Sequence, residues 1–189
     1  MSGLGALGGS GGGEALHLHA ADPTVRVGLK GPNAPAWLAA RGVATPTAPN
    51  RWLSHAGGVC LRLGLGEYFI AGAADGAQLA AALAPERGVY PVLRQDAGFV
   101  LAGAGAEAAL EQACAVNFRD PSLGDDAVVL TSMLGVGVQV IWHQAGAGRA
   151  YHLWCDASFQ AYFAAALAEI VRDLGGGHVT QSGREGLIG

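Results

Sequence analysis

Apolar and polar positions alternate at Val59, Leu61 and Leu63, pause at Gly64-Leu65-Gly66, and resume in the run Tyr68-Phe69-Ile70. A period of two on either side of a glycine-rich pause marks a β-hairpin, because successive strand side chains point to opposite faces. Residues 57–72, GGVCLRLGLGEYFIAG, are therefore read as two strands and a turn. Residues 136–155, VGVQVIWHQAGAGRAYHLWC, repeat the arrangement around a turn at 145–148. A helical pattern follows each hairpin. In DGAQLAAALA, Asp75 and Gln78 stand at capping-box spacing. In DASFQAYFAAALAEIVRDLG, Phe159, Phe163, Leu167, Ile170 and Leu174 fall on one helix face. Arg172 in the last turn and Gly175 just beyond it suit a helix C-terminus.

The same pattern precedes each hairpin. VGLKGPNAPAWL at 27–38 and FVLAGAGAEAAL at 99–110 both read as a short strand, a glycine and a helix. Gly31 and Gly103, Ala34 and Ala106, and Leu38 and Leu110 are each 72 residues apart. Internal repeats reset a fold assignment. The expectation is an α+β protein, a pseudo-symmetric duplication of a β-α-β-β-α unit, with halves at about 24–86 and 90–174. Residues 1–23 and 175–189 are glycine-rich or aperiodic and are expected to be disordered tails.

Gly31-Pro32-Asn33 invites a second reading, a phosphate site at a helix N-terminus. Neither a GKS/T nor a GxGxxG register accompanies it, and the repeat puts Gly103 at the same place. A structural corner is the stronger reading, with Asn33 suited to the N-cap and Pro35 to the first turn.

Composition narrows the partners. Charged residues are 14% of the chain, against about 25% in an average domain, and 51% is hydrophobic. Few charges keep such a surface apart from other proteins, so a subunit interface is expected. The net charge is −4 with no basic run, which argues against nucleic acid or an anionic membrane as partner. The start has no basic and apolar leader pattern, and no stretch has membrane-helix length. Cys60, Cys114 and Cys155 are odd in number and far apart, as expected of free thiols in a cytoplasmic protein.

Four phrases, in order, resemble the gamma subunit of heterotetrameric sarcosine oxidase, in the folate-binding aminomethyltransferase-like superfamily. They are LKGPNAPAWLAARG, LRLGLGEYFIAG, EQACAVNFRDPSLGDDAVVLTSMLG and YHLWCDASFQAYFAAALAEI, which together cover about 24–174. The chain departs from the family pattern in several places. Pro91-Val92-Leu93-Arg94 stands where the family has Asp-Val-Ser-His. Leu65-Gly66-Glu67-Tyr68 keeps only the acid and an aromatic of its hairpin, while Val116-Asn117 and Ala157-Ser158 replace its Leu-Asp and Arg-Ser. The resemblance implies a subunit without catalytic, cofactor-binding or metal-binding residues of its own. It would pack beside the folate-handling part of the alpha subunit, in a complex with alpha, beta and delta subunits. FAD, FMN, NAD and tetrahydrofolate would sit in those partners. Such a complex oxidatively demethylates sarcosine to glycine, releases hydrogen peroxide and passes the one-carbon unit to tetrahydrofolate. The alternatives are a stand-alone folate-binding or aminomethyltransferase-like protein, and a small-molecule binder using the cleft between the halves.

Candidate chemistry is sparse. No serine or cysteine sits in an elbow or Cys-His phrase. His17 and His19 lack a third ligand nearby, and His143 and His152 flank the second hairpin turn as solvated or hydrogen-bonded strand ends. Asp125-Asp126 is read as a solvated loop. The Lys-Gly-Cys-Tyr-x-Gly-Gln phrase of many folate-binding relatives does not occur. Trp37 is assigned to the core. Trp52, with Asn50 and Arg51, lies in the proline-rich stretch 44–56, expected to be a surface loop and a partner anchor.

Overall fold

A computed structural model describes residues 15–21 and 24–179. Its elements run β1 (His17–Ala20), β2 (Arg26–Lys30), α1 (Ala34–Ala39), β3 (Arg51–His55), β4 (Gly58–Arg62), β5 (Glu67–Ala71), α2 (Gly76–Ala82) and β6 (Tyr90–Val92). There follow β7 (Asp96–Ala102), α3 (Ala106–Ala113), β8 (Val129–Met133), β9 (Val136–Ala145), β10 (Gly148–Asp156), α4 (Gln160–Asp173) and β11 (Gly177–Val179). One sheet has the order β3-β4-β5-β2-β6 and the other β11-β1-β7-β10-β9-β8. Every pairing is antiparallel except β1 with β11.

Both sheets grow in the same order. A leading strand (β2 or β7) enters a helix through a glycine, three meandering strands follow, and the third pairs back onto the leader. The two corners match: Gly31 C=O accepts from Ala34 N–H and Gly103 C=O from Ala106 N–H, each at 3.2 Å. The unit thus holds one strand more than expected. The first meander strand of one unit, β3, lies in the stretch 44–56 read as a loop, and that of the other, β8, in a segment assigned no element. Each turns into the next strand through two residues at positive φ, Ala56 (46°) with Gly57 (82°) and Leu134 (54°) with Gly135 (80°). Two left-handed residues give the loop a twist that matches the strands, as in a type I′ turn, although neither loop begins with Asn or Asp.

The expected boundaries are corrected in two places. Residues 17–20 and 177–179, assigned to tails, are strands. Leu16 and Leu18 bury themselves in the core from alternate positions, and the Gly-rich surroundings hid that period. Residues 1–14 and 180–189 lie outside the described residues. The first sheet also takes its last strand, β6, from 90–92, past the expected boundary at 86. Each half's sheet therefore borrows the strand that precedes the other half, and this interlocks the two.

The helices lie on the outer faces and the sheets face one another. The larger core packs Leu110, Phe163, Leu167 and Val171 of α3 and α4 against Phe99, Trp142, Tyr151 and Leu153. The smaller core packs Trp37, Leu38 and Leu79 against Val27, Leu29, Tyr68 and Ile70, so Trp37 is core as expected. On α4 the buried stripe is Phe163, Leu167 and Val171, while Phe159 and Leu174 at its ends are exposed, against expectation. Two capping assignments also change. The Asp75 carboxylate lies 3.0 Å from His55 Nε2 and makes no cap, and Asn33 Nδ2 donates to Arg87 C=O at 2.8 Å.

Candidate functional site

Where the sheets meet, alternation brings one face of each strand to a shared seam. Val59, Leu61, Phe69 and Ala71 come from the five-stranded sheet, and Ile141 and Trp154 from the six-stranded sheet, joined by Val128. Phe69 and Trp154 meet edge to face with centroids 5.6 Å apart. Beside them two arginines cross over. Arg94 lies against Gly28, where an added Cβ would come within 2.7 Å of its Cγ, and its guanidinium sits 5.0 Å from the Phe69 ring. Arg26 lies against Gly98, where a Cβ would come within 3.2 Å of Nη2 and 3.3 Å of the Trp154 ring. Side chains at Gly28 or Gly98 would push the arginines out of the seam.

Arg94 holds the cluster together. Its Nη2 donates to Glu67 Oε1 at 2.8 Å, and Nη1 stands 3.9 Å from Asp96 Oδ1. Burial pushes the Asp96 carboxyl above its ordinary range, with Arg94 and Arg26 opposing, and burial lowers the Arg26 guanidinium, with Asp96 opposing. Each partner loses hydration on entering the seam, so the pairing offsets desolvation and fixes how the halves dock.

Burial suppresses two of the cysteine nucleophiles. Burial pushes the Cys60 thiol up to about 12 and the Cys155 thiol up to about 11, so neither is a thiolate at neutral pH. Tyr151 is pushed upward by burial and by its hydrogen bond to Glu107 Oε1 at 2.8 Å. His152 is buried rather than solvated, and its Nε2 stands 3.2 Å from His143 Nδ1. Asp125 and Asp126 are exposed but diverge, to Arg149 at 3.4 Å and Arg51 at 3.3 Å. Among the described residues, no three of His, Cys, Asp and Glu are placed to share a metal ion.

The Gly31 corner answers the phosphate question. Asn33 N–H donates to Gly88 C=O at 2.9 Å and Ala34 N–H to Gly31 C=O, so donors at the start of α1 are occupied by backbone. Gly31 has φ of 131°, and a Cβ there would lie 2.2 Å from Gly88 C=O. Glycine is required by the close approach of two backbone segments. Outside the corner, Lys30, Pro32, Leu65 and Tyr90 line an open groove of about 560 Å³.

Trp52, Asn50 and Arg51 are not on a free surface loop. Arg51–His55 is a strand, and Trp52 sits half-buried opposite Leu61, packed on the seam. Its backbone N–H donates to Asp126 C=O at 2.8 Å, Asn50 C=O accepts from Val128 N–H at 2.9 Å, and Arg51 pairs with Asp126. The three tie the first half to residues 126–128 of the second. The prolines end at Pro49, so the N–H groups from Asn50 onward are free to bond, which the reading of 44–56 as one loop overlooked.

No family model matches the sequence, and no curated protein matches it significantly. Solved structures do match the fold. One is a chain of the heterotetrameric sarcosine oxidase from Corynebacterium sp. U-96 in complex with pyrrole 2-carboxylate. The TM-score is 0.71 and the identity 23%, over 94% of this chain and 93% of that one. Another is the glycine cleavage system aminomethyltransferase T from Bartonella henselae, with TM-score 0.63 and 14% identity, over 89% of this chain and 48% of that one. The chain has an aminomethyltransferase-like fold.

Within this aminomethyltransferase-like fold, sequence reasoning missed the seam cluster. Arg26, Arg94 and Asp96 carry no motif spacing. Gly28 and Gly98, lone glycines inside strand-like runs, were the available signal, since such positions mark close approach. Among the described residues, no helix is long and apolar enough to cross a membrane.

Proposed function

We propose that this chain is the non-catalytic gamma subunit of a heterotetrameric sarcosine oxidase-like complex, working in the cytoplasm. It supports assembly next to the folate-handling part of an alpha subunit, with beta and delta completing the complex. FAD, FMN, NAD and tetrahydrofolate belong to those partners. The complex oxidises sarcosine to glycine with release of hydrogen peroxide, and the one-carbon unit passes to tetrahydrofolate. The observation that carries this reading is the end-to-end match with one chain of a heterotetrameric oxidase, 94% of this chain on 93% of that one. With the aminomethyltransferase the match covers 48% of that chain. Raised thiols and a seam closed by paired charges are consistent with a structural role.

The second reading, a stand-alone folate-binding or aminomethyltransferase-like protein, rests on the fold shared with aminomethyltransferase T. Titration calorimetry of the isolated chain with tetrahydrofolate separates the two. The subunit reading expects no binding at micromolar ligand, and stoichiometric binding overturns it in favour of the second.

A further inference from the structure

Beyond the seam, the inner face of the six-stranded sheet carries four histidines. Register sets His19, Val100, His152 and Ile141 in one row across β1, β7, β10 and β9. In the next row, His17 stands opposite Ala102 and His143 opposite Ala150. Val100, Ala102, Ala150 and His152 are buried. His143 and His152 stack with centroids 5.1 Å apart and share one hydrogen bond, and His152 in turn stacks on Trp154 at 6.0 Å.

The second nitrogen of His152, Nδ1, is buried without a hydrogen-bond partner. A neutral imidazole has one donor and one acceptor nitrogen. The less costly tautomer leaves Nδ1 as a bare lone pair, so His152 Nε2–H donates to His143 Nδ1. A further proton has no good destination. On His143 Nδ1 it sets two N–H groups against each other, unless His152 moves its own proton to Nδ1, a buried donor with no acceptor. On His152 Nδ1 it makes a buried imidazolium.

We propose that the His143–His152 pair is an acid-operated latch, whose protonation breaks their hydrogen bond and loosens the end of the β9–β10 hairpin together with β1. The charged and titratable groups facing the pair give little relief. On the same sheet face they are His17 and His19 of β1, Asp96 of β7 and Asp156 of β10, and from the opposing sheet Arg26. Asp156 lies four residues along the strand from His152, roughly 13 Å at strand rise. Asp96 is directly opposite Asp156 and bound up with the arginines. Protonated His152 would gain attraction from the Trp154 ring, a smaller effect than burying an unpaired charge.

The sign follows from burial. His152 is held down to about 3, and His143 also lies below its ordinary value. The unfolded chain then binds more protons than the folded one below about pH 6.5. Stability from the neutral pair is present above that pH and is lost as pH falls toward the folded values.

Hydrogen exchange of the full chain at pH 7.5 and 5.0, corrected for intrinsic amide rates, tests the latch. The opening constant of segments 17–20 and 143–152 should rise roughly thirtyfold at the lower pH, tenfold per unit below 6.5. His152→Phe keeps a ring and removes the proton, and should bring that ratio close to one. His143→Gln, at the more accessible partner, should reduce the ratio similarly and serves if the first variant does not fold. An unchanged ratio in whichever variant folds, or no rise in the wild type, overturns the proposal.

Discussion

Phe69 on β5 and Trp154 on β10 meet edge to face at 5.6 Å, and this contact sits at the centre of the seam between the two sheets. Both rings are buried, so each contributes area as well as ring geometry. Phe69→Ala should lower stability by about 3–5 kcal/mol in urea unfolding, the range for deleting a buried aromatic. A double-mutant cycle with Trp154→Ala should return a coupling of about 0.5–1.5 kcal/mol. Strict additivity would mean that the rings do not act as a pair.

Arg94→Met should destabilise the chain by about 2 kcal/mol at pH 7, less than for a fully buried pair because Glu67 is partly exposed. It leaves the Asp96 carboxylate in the seam with less compensation. Burial has already raised Asp96, so the folded chain takes up a proton there more readily than the unfolded chain does. The penalty of ionised Asp96 is present above its folded pKa and relieved as pH falls through it. The loss caused by Arg94→Met should therefore shrink between pH 7 and pH 4. A pH-independent loss would show that Asp96 does not sense Arg94.

Ala56 is exposed and left-handed, with φ of 46°. An L-residue with a Cβ is disfavoured there, and Asn tolerates the conformation better. Ala56→Asn creates an Asn-Gly turn and should stabilise the chain by about 0.5–1 kcal/mol in thermal or urea unfolding. A loss would contradict the turn geometry.

Two glycines at positive φ separate conformational strain from close contact. Gly42 has φ of 76° and open space around a Cβ, so Gly42→Ala should cost only about 1 kcal/mol. At Gly31 the Cβ would lie 2.2 Å from Gly88 C=O, so Gly31→Ala should cost at least about 3 kcal/mol and lower yield on expression. Equal effects in the two melts would remove the close-approach argument for the corner.

Local patterns made much of this architecture legible. Alternation placed both hairpins, and matched glycines placed both strand-to-helix corners. Strands β3 and β8 were hidden because RWLSH follows a proline-rich run and neither turn begins with Asn or Asp. β1 was hidden by the Gly-rich sequence around it. The candidate surface at Trp52 was judged by its prolines, whereas the residue is half-buried against the seam cluster. The seam charges were beyond local reading altogether. Arg26 of one sheet reaches Asp96 of the other only after the two have formed and docked, and Asp75 trades its expected cap for His55, 20 residues away within the first half.

Reconstitution tests the central claim most directly. The tagged chain is co-expressed with alpha, beta and delta subunits of a sarcosine oxidase-like flavoenzyme, and the purified material is sized by light scattering and assayed for sarcosine-dependent hydrogen peroxide. The account predicts one equimolar four-subunit species that carries flavin and activity, while the chain purified alone carries neither. A chain that elutes alone beside a fully active three-subunit enzyme would contradict it.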